Sequence, residues 1–221
     1  MSQNKTNNLD KLSYVLNEIS LTNKFYVATD QVKLQETIAQ DQTPVATLVM
    51  CCDSRAHTTA FTANPENNFF IVRNIGNQYI LNQGSIEFGV INLQTPLLIF
   101  LGHTQCGAIK SAMEDYSFQS SALIREIDHL TLSIRVNELQ GDTNTRYHQA
   151  VQNNINKQVE LASKDFHALI NQEKLIIVGM LLDLDNTHGN GYGKISLINY
   201  MGETDPNILC NIPGINDFFI D

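Results

Sequence analysis

Cysteine is scarce in this chain, with four residues in 221. That is too few to staple a protein of this length, which excludes a disulfide scaffold. In a reducing compartment, clustered thiols point to metal binding or catalysis instead. Positive charge is also in short supply. Fourteen Lys and Arg face 23 Asp and Glu, leaving a formal charge of −9, which works against non-specific attraction to nucleic-acid phosphates or anionic lipid. No basic run or aromatic-and-arginine face offsets it. Long hydrophobic runs are missing too. The greasiest stretches, Leu97–Leu101 and Leu175–Leu182, fall far short of the roughly 20 residues needed to span a bilayer. The opening MSQNKTNNLDKLSYVLNEIS lacks the continuous apolar stretch of a secretory signal. A soluble, cytoplasmic protein is expected, with no nucleic-acid or membrane partner.

What is present suits one globular domain over residues 1–221: 43% hydrophobic and 17% charged residues are ordinary values, and the length supports a proper core. Residues 8–40 carry helical spacing (Leu9, Leu12, Tyr14, Val15, Leu16 and Ile19, then Val32, Leu34 and Ile38) and predict two amphipathic helices ahead of the main fold. Buried strands are expected at Val45–Met50, Phe69–Arg73, Leu97–Leu101 and Leu175–Leu182, with a further edge strand at Lys194–Asn199. Helices are expected at Gly84–Asn92, Ala108–Asp115, Ser121–Leu139 and Arg146–Asn171, and NTHGNGYG (Asn186–Gly193) marks a turn. Strands alternating with helices predict an α/β fold. Its central, mostly parallel sheet has four parallel strands plus an edge strand and is flanked by helices.

Sheets of this kind place their chemistry beyond the carboxyl ends of the strands, and two motifs fall there. CCDSR (Cys51–Arg55) follows the first strand, and HTQCG (His103–Gly107) follows the third, about fifty residues later. Together they offer thiolate, imidazole and thiolate, the donors a borderline-soft ion such as zinc prefers. His103 and Cys106 stand three apart at the start of a helix, where thiolate is favoured over thiol. Cys51 and Cys52 alternate along the chain, so one faces the site and the other the core, and the residues alone do not choose between them. Asp53 and Arg55 lie between the ligands and read as a catalytic dyad. His57 reads as a surface or helix-cap residue, His129, His148, His167 and His188 as ordinary solvated residues, and Cys210 as a small buried hydrophobe.

CCDSR followed by HTQCG resembles the β-class carbonic anhydrases, whose signatures are C-x-D-S-R and H-x-x-C-G. FFIVRNIGN (Phe69–Asn77) and GSIEFGV (Gly84–Val90) are similar to further segments of that family, and weaker likeness continues to Asp185. The resemblance implies one zinc ion per chain, held by Cys51, His103 and Cys106, with Cys52 as the variable position. It implies reversible hydration of carbon dioxide to bicarbonate and a proton by attack of zinc-bound hydroxide. Asp53 and Arg55 are then the catalytic dyad, and the backbone N–H of Gly107 a donor to substrate oxygen. Residues 1–43 match the family's helical arm, which implies a homodimer or homotetramer, and residues 44–221 the zinc-binding core. One bacterial subgroup has a bicarbonate-inhibited form that uses a tryptophan and a tyrosine. Those positions fall here on Leu48 and Leu182, and the chain has no tryptophan. Hydrolysis of carbon disulfide or carbonyl sulfide at the same zinc, and a non-catalytic zinc or redox module, are the alternative readings.

Overall fold

The computed structural model describes residues 8–38, 41–63, 66–135 and 137–212. The chain separates into two compact units, Met1–Gln42 and Thr43–Asp221. The first is built on one helix, α1 (Asn8–Ile38), and this corrects the expectation of two. No glycine or proline interrupts residues 8–38, so nothing stops a helix from propagating once it has started. Nor does α1 carry a single apolar face. At about 100° per residue, Leu12, Val15, Leu16 and Ile19 line one side while Tyr14, Leu21 and Phe25 line the opposite side. All seven are exposed.

The second unit is a five-stranded sheet of β1 (Ala46–Cys51), β2 (Phe69–Asn74), β3 (Leu97–His103), β4 (Ile176–Asp183) and β5 (Lys194–Tyr200), in the order β2-β1-β3-β4-β5. The first four strands run parallel and β5 joins β4 antiparallel, as four parallel strands plus an edge strand require. Every residue of β1 is buried, which is the pattern of a parallel strand covered on both faces. The chain leaves β1 for β2 on one side and later returns as β3 on the other. The carboxyl ends of β1 and β3 therefore flank the topological switch point.

Between β2 and β3 lies α2 (Gln83–Glu87), which runs into a π-helical turn at Phe88–Asn92. Four helices separate β3 from β4: α3 (Gly107–Met113), α4 (Ser121–Ile134), α5 (Thr143–Asp165) and α6 (His167–Asn171); α7 (Pro206–Leu209) follows β5. Three helix boundaries differ from expectation by three residues or more, each with a local reason. Helix α4 stops at Ile134, short of Leu139, and its terminal carbonyl accepts from Asn153 Nδ2 on α5 at 3.1 Å. Helix α5 begins earlier than Arg146 because the Asp142 carboxylate caps it, accepting from Thr145 N at 2.8 Å. It breaks at Phe166, whose φ of −95° and ψ of 16° turn its ring into the core against Tyr79, 6.1 Å away.

Helix α5 packs on β3 and β4. Glycines at 102 and 179 make this possible, because a Cβ on either would lie 2.5 or 2.6 Å from the Ile155 side chain. Towards the amino ends of the strands, this layer fills with the near-perpendicular rings of Tyr79, Phe100 and Phe166. Towards the carboxyl ends it continues through Ile155, Leu130 and Ile109 and ends on Cys51 and Cys106. The alternate strand residues Leu48, Met50, Ile99, Leu101 and Leu182 form the core of the other face.

Candidate metal centre

Cys51 is the last residue of β1 and His103 the last of β3, so the strands run one and two residues past their expected ends. Because β1 and β3 are paired neighbours, both side chains emerge at the same sheet edge. Cys106 reaches that edge through a tight reversal. Gln105 adopts left-handed backbone geometry, φ 58°, at a cost of about 1 kcal/mol or more for a residue with a Cβ. Cys106 then caps α3 in an extended conformation. The donor atoms of Cys51, His103 and Cys106 all lie within 4.8 Å of one another, and the three residues are only 4%, 1% and 2% exposed.

Their chemistry fits a zinc ion. His103 Nδ1 donates to the Thr104 carbonyl at 2.8 Å, which leaves Nε2 as a bare lone pair. That nitrogen is buried with no hydrogen-bond partner, an arrangement that costs about 1–3 kcal/mol unless something accepts the pair. The sulfurs of Cys51 and Cys106 stand 4.0 Å apart. Their mutual hydrogen bond lowers the Cys51 thiol against the opposing effect of burial, helped by His103 and by the Gly76 N–H at 3.4 Å. The same contact, together with burial, raises Cys106. Two soft sulfurs and an imidazole nitrogen, with no fourth protein donor among the described residues, match the three-ligand zinc sites that keep one position open.

Asp53 and Arg55 lie beside this cluster. Arg55 Nε donates to Asp53 Oδ1 at 2.9 Å and Nη2 to Oδ2 at 2.7 Å, and the Arg55 backbone N–H also reaches Oδ1 at 2.9 Å. This fork holds the Asp53 carboxyl well below the usual carboxylate range despite its partial burial. Asp53 Oδ2 is 3.9 Å from His103 Nε2, so the carboxylate faces the metal donors. Arg55 Nη2 also donates to the Gln105 carbonyl at 2.9 Å. Gly107 opens α3 at the exposed rim with free space beside its Cα.

Other residues fall outside the expectations. Arg73 on β2 carries no expected role, yet its guanidinium donates to the carbonyls of Cys51, Asp53 and Ala56 and pins the Cys51–Ala56 loop. Its place in the VRN segment of Phe69–Asn77 was the available signal. Cys52 turns away from the metal donors into solvent and not into the core; its N–H is tied to the Asn74 carbonyl at 2.9 Å. Cys210 is likewise exposed, its thiol near the Asn207 carbonyl. His57 caps a short 3-10 turn as expected, accepting from Thr59 N. His129, His148 and His188 depart from expectation in being partly buried, and the rings of His148 and His188 have centroids 6.4 Å apart. Burial lowers the pKa of His148. Leu48 and Leu182 are fully packed core residues.

An α/β sheet with a Cys-His-Cys cluster at its switch point defines an α/β protein whose residues could hold a metal ion. A family model described as carbonic anhydrase matches residues 46–189. The chain belongs to the β-carbonic anhydrase family. A carbonic anhydrase of Mycolicibacterium smegmatis is 30% identical over 116 residues, covering 50% of this chain and 55% of that protein. A carbonic anhydrase 2 of Mycobacterium tuberculosis is 34% identical over 79 residues, 34% of this chain and 37% of its own length. The matched segment thus spans about half or less of these curated relatives. Among solved structures, the β-carbonic anhydrase CcaA superposes with a TM-score of 0.74 at 19% identity, covering 86% of this chain and 88% of that one. A tetrameric β-carbonic anhydrase of Sordaria macrospora gives 0.73 at 20% identity, over 86% and 98%. At these identities the likeness is one of fold. No helix among the described residues is long and apolar enough to cross a membrane.

Proposed function

We propose that this protein catalyses the reversible hydration of carbon dioxide to bicarbonate and a proton, with one zinc ion held by Cys51, His103 and Cys106. When bound, zinc supplies a Lewis acid that makes water nucleophilic near neutral pH. Asp53 Oδ2, kept ionised by Arg55, accepts the hydrogen bond of the attacking oxygen and so turns its free lone pair towards the carbon. Arg55 holds that carboxylate in one orientation. The Gly107 N–H donates to the substrate oxygen on which negative charge develops.

The observation that carries this reading is the ionised, forked Asp53 facing a three-donor metal cluster. A purely structural zinc site has no use for an oriented carboxylate and is usually closed by a fourth Cys or His. Stopped-flow hydration assays on protein of measured zinc content test it, with headspace assays of carbonyl sulfide and carbon disulfide alongside. Zinc-loaded protein without hydration above background would end the proposal.

Assembly and location complete the reading. Residues 44–221 carry the site, and the arm, residues 1–43, serves assembly into a homodimer or homotetramer. A helix with apolar stripes on two opposite sides needs more than one surface to cover it, which supports this assignment. The exposed free thiols of Cys52 and Cys210 suit the reducing cytoplasm.

A further inference from the structure

The turn that follows β4 reaches the metal-centre loop through one hydrogen bond across 80 residues of chain: Asp185 Oδ2 accepts from Gln105 Nε2 at 2.5 Å. Gln105 stands between His103 and Cys106, and its backbone carbonyl accepts from Arg55 Nη2 at 2.9 Å. The same Arg55 nitrogen holds Asp53 Oδ2. Asp185, Gln105, Arg55 and Asp53 therefore form one continuous chain of hydrogen bonds. We propose that Asp185 and Gln105 are positioning residues for the Asp53–Arg55 pair: Asp185 anchors the Gln105 side chain and thereby fixes the left-handed turn whose carbonyl aims Arg55.

The physical need is plain. Arg55 is 55% exposed, and a fork between two residues of one loop can rotate as a unit about the Asp53 side chain. A second acceptor on a separate segment removes that freedom. The acceptor comes from a residue in strained geometry, φ 58°, which would relax and turn its carbonyl away if nothing held it. Both ends of the Gln105 amide are held, Nε2 by Asp185 and Oε1 by Lys110 Nζ. Asp185 is itself fixed, since Thr187 Oγ1 donates to its Oδ1 at 2.7 Å. Asp183, at the end of β4, accepts from the backbone N–H groups of Thr187 and His188 at 3.1 and 3.0 Å. Burial opposes ionisation of Asp185, but hydrogen bonds from Gln105, Thr187 and Thr104 hold its carboxyl below the usual range, and an ionised acceptor binds an amide donor more strongly.

The inference rests on the proposed function only for its effect on rate; the fixing of Arg55 stands apart from it. The test follows the Arg55 Nε–H resonance in 15N-labelled, zinc-loaded protein, assigned with Arg55→Lys, together with zinc content and hydration kinetics. In Asp185→Ala the resonance is expected to broaden and exchange faster with water, zinc to stay at about one per chain, and kcat to fall about tenfold with KM within about twofold. Gln105→Ala, which keeps the strained backbone position and removes the anchor, is expected to behave alike and decides the matter if Asp185→Ala does not fold. A sharp, unshifted Arg55 resonance in either folded variant would overturn the inference, whatever its activity. Wild-type protein without hydration activity would end the proposed function while the resonance still decides this one.

Discussion

The metal donors and the Asp53–Arg55 pair lie 3.9 Å apart at their closest recorded approach, yet different forces hold them. The donors continue the hydrophobic core: Cys51 and Cys106 pack with Ile109, Leu130 and Ile155, and His103 is buried at the end of β3. Their spacing is set by strand register and by side chains that cannot move without opening a void. The pair stands at the rim, where Arg55 is half-exposed and hydrogen bonds do the positioning. The difference teaches that metal affinity should respond to core packing, whereas rate should respond to polar contacts that leave the core alone.

The sharpest break of the buried half is Cys106→Ser. A hydroxyl is a poor substitute for a soft thiolate, so zinc should fall from about one per chain to near none by elemental analysis, with hydration at background. Next comes Ile155→Ala, which touches neither the donors nor the pair. It should lower unfolding stability by about 2–5 kcal/mol in urea titrations and loosen the wall behind Cys51 and Cys106.

The polar half is sharpened by pH. The Asp185 carboxyl is depressed in the folded protein by its hydrogen bonds. Its contribution to stability is therefore present above the unfolded value of about 4 and lost as pH falls below that, through the folded value. The difference in urea midpoint between wild type and Asp185→Asn should be constant from pH 7 to about 5 and shrink towards pH 3. The smallest effect belongs to Cys52→Ala. This thiol faces solvent, so stability should change by less than about 0.5 kcal/mol with zinc content unchanged.

The same division explains what could be read from the sequence. Strands β1, β3 and β4 announce themselves as apolar runs, and candidate ligands at the ends of such runs, Cys51 and His103 among them, are visible without a structure. The resemblance to the β-class pattern then selected Cys51 over Cys52, and the structure turns Cys52 outward. Contacts between distant segments leave no local pattern. Nothing near Gln105 points to Asp185, and nothing near His148 points to His188. Arg73 lies in the VRN segment, but its role in an edge strand shows only when its three carbonyl partners are seen. Helix α1 reads as two because the apolar residues that set its spacing stop at Ile19 and resume at Val32, although no glycine or proline breaks it.

The central claim is that an ionised Asp53 acts on the reaction at a zinc site it does not help to build. Stopped-flow hydration of carbon dioxide by zinc-loaded wild type and Asp53→Asn, with zinc measured on both, tests it most directly. Expected is about one zinc per chain in each, with kcat lowered by about a hundredfold or more in the variant. Full activity in Asp53→Asn, or loss of its zinc, would contradict the claim.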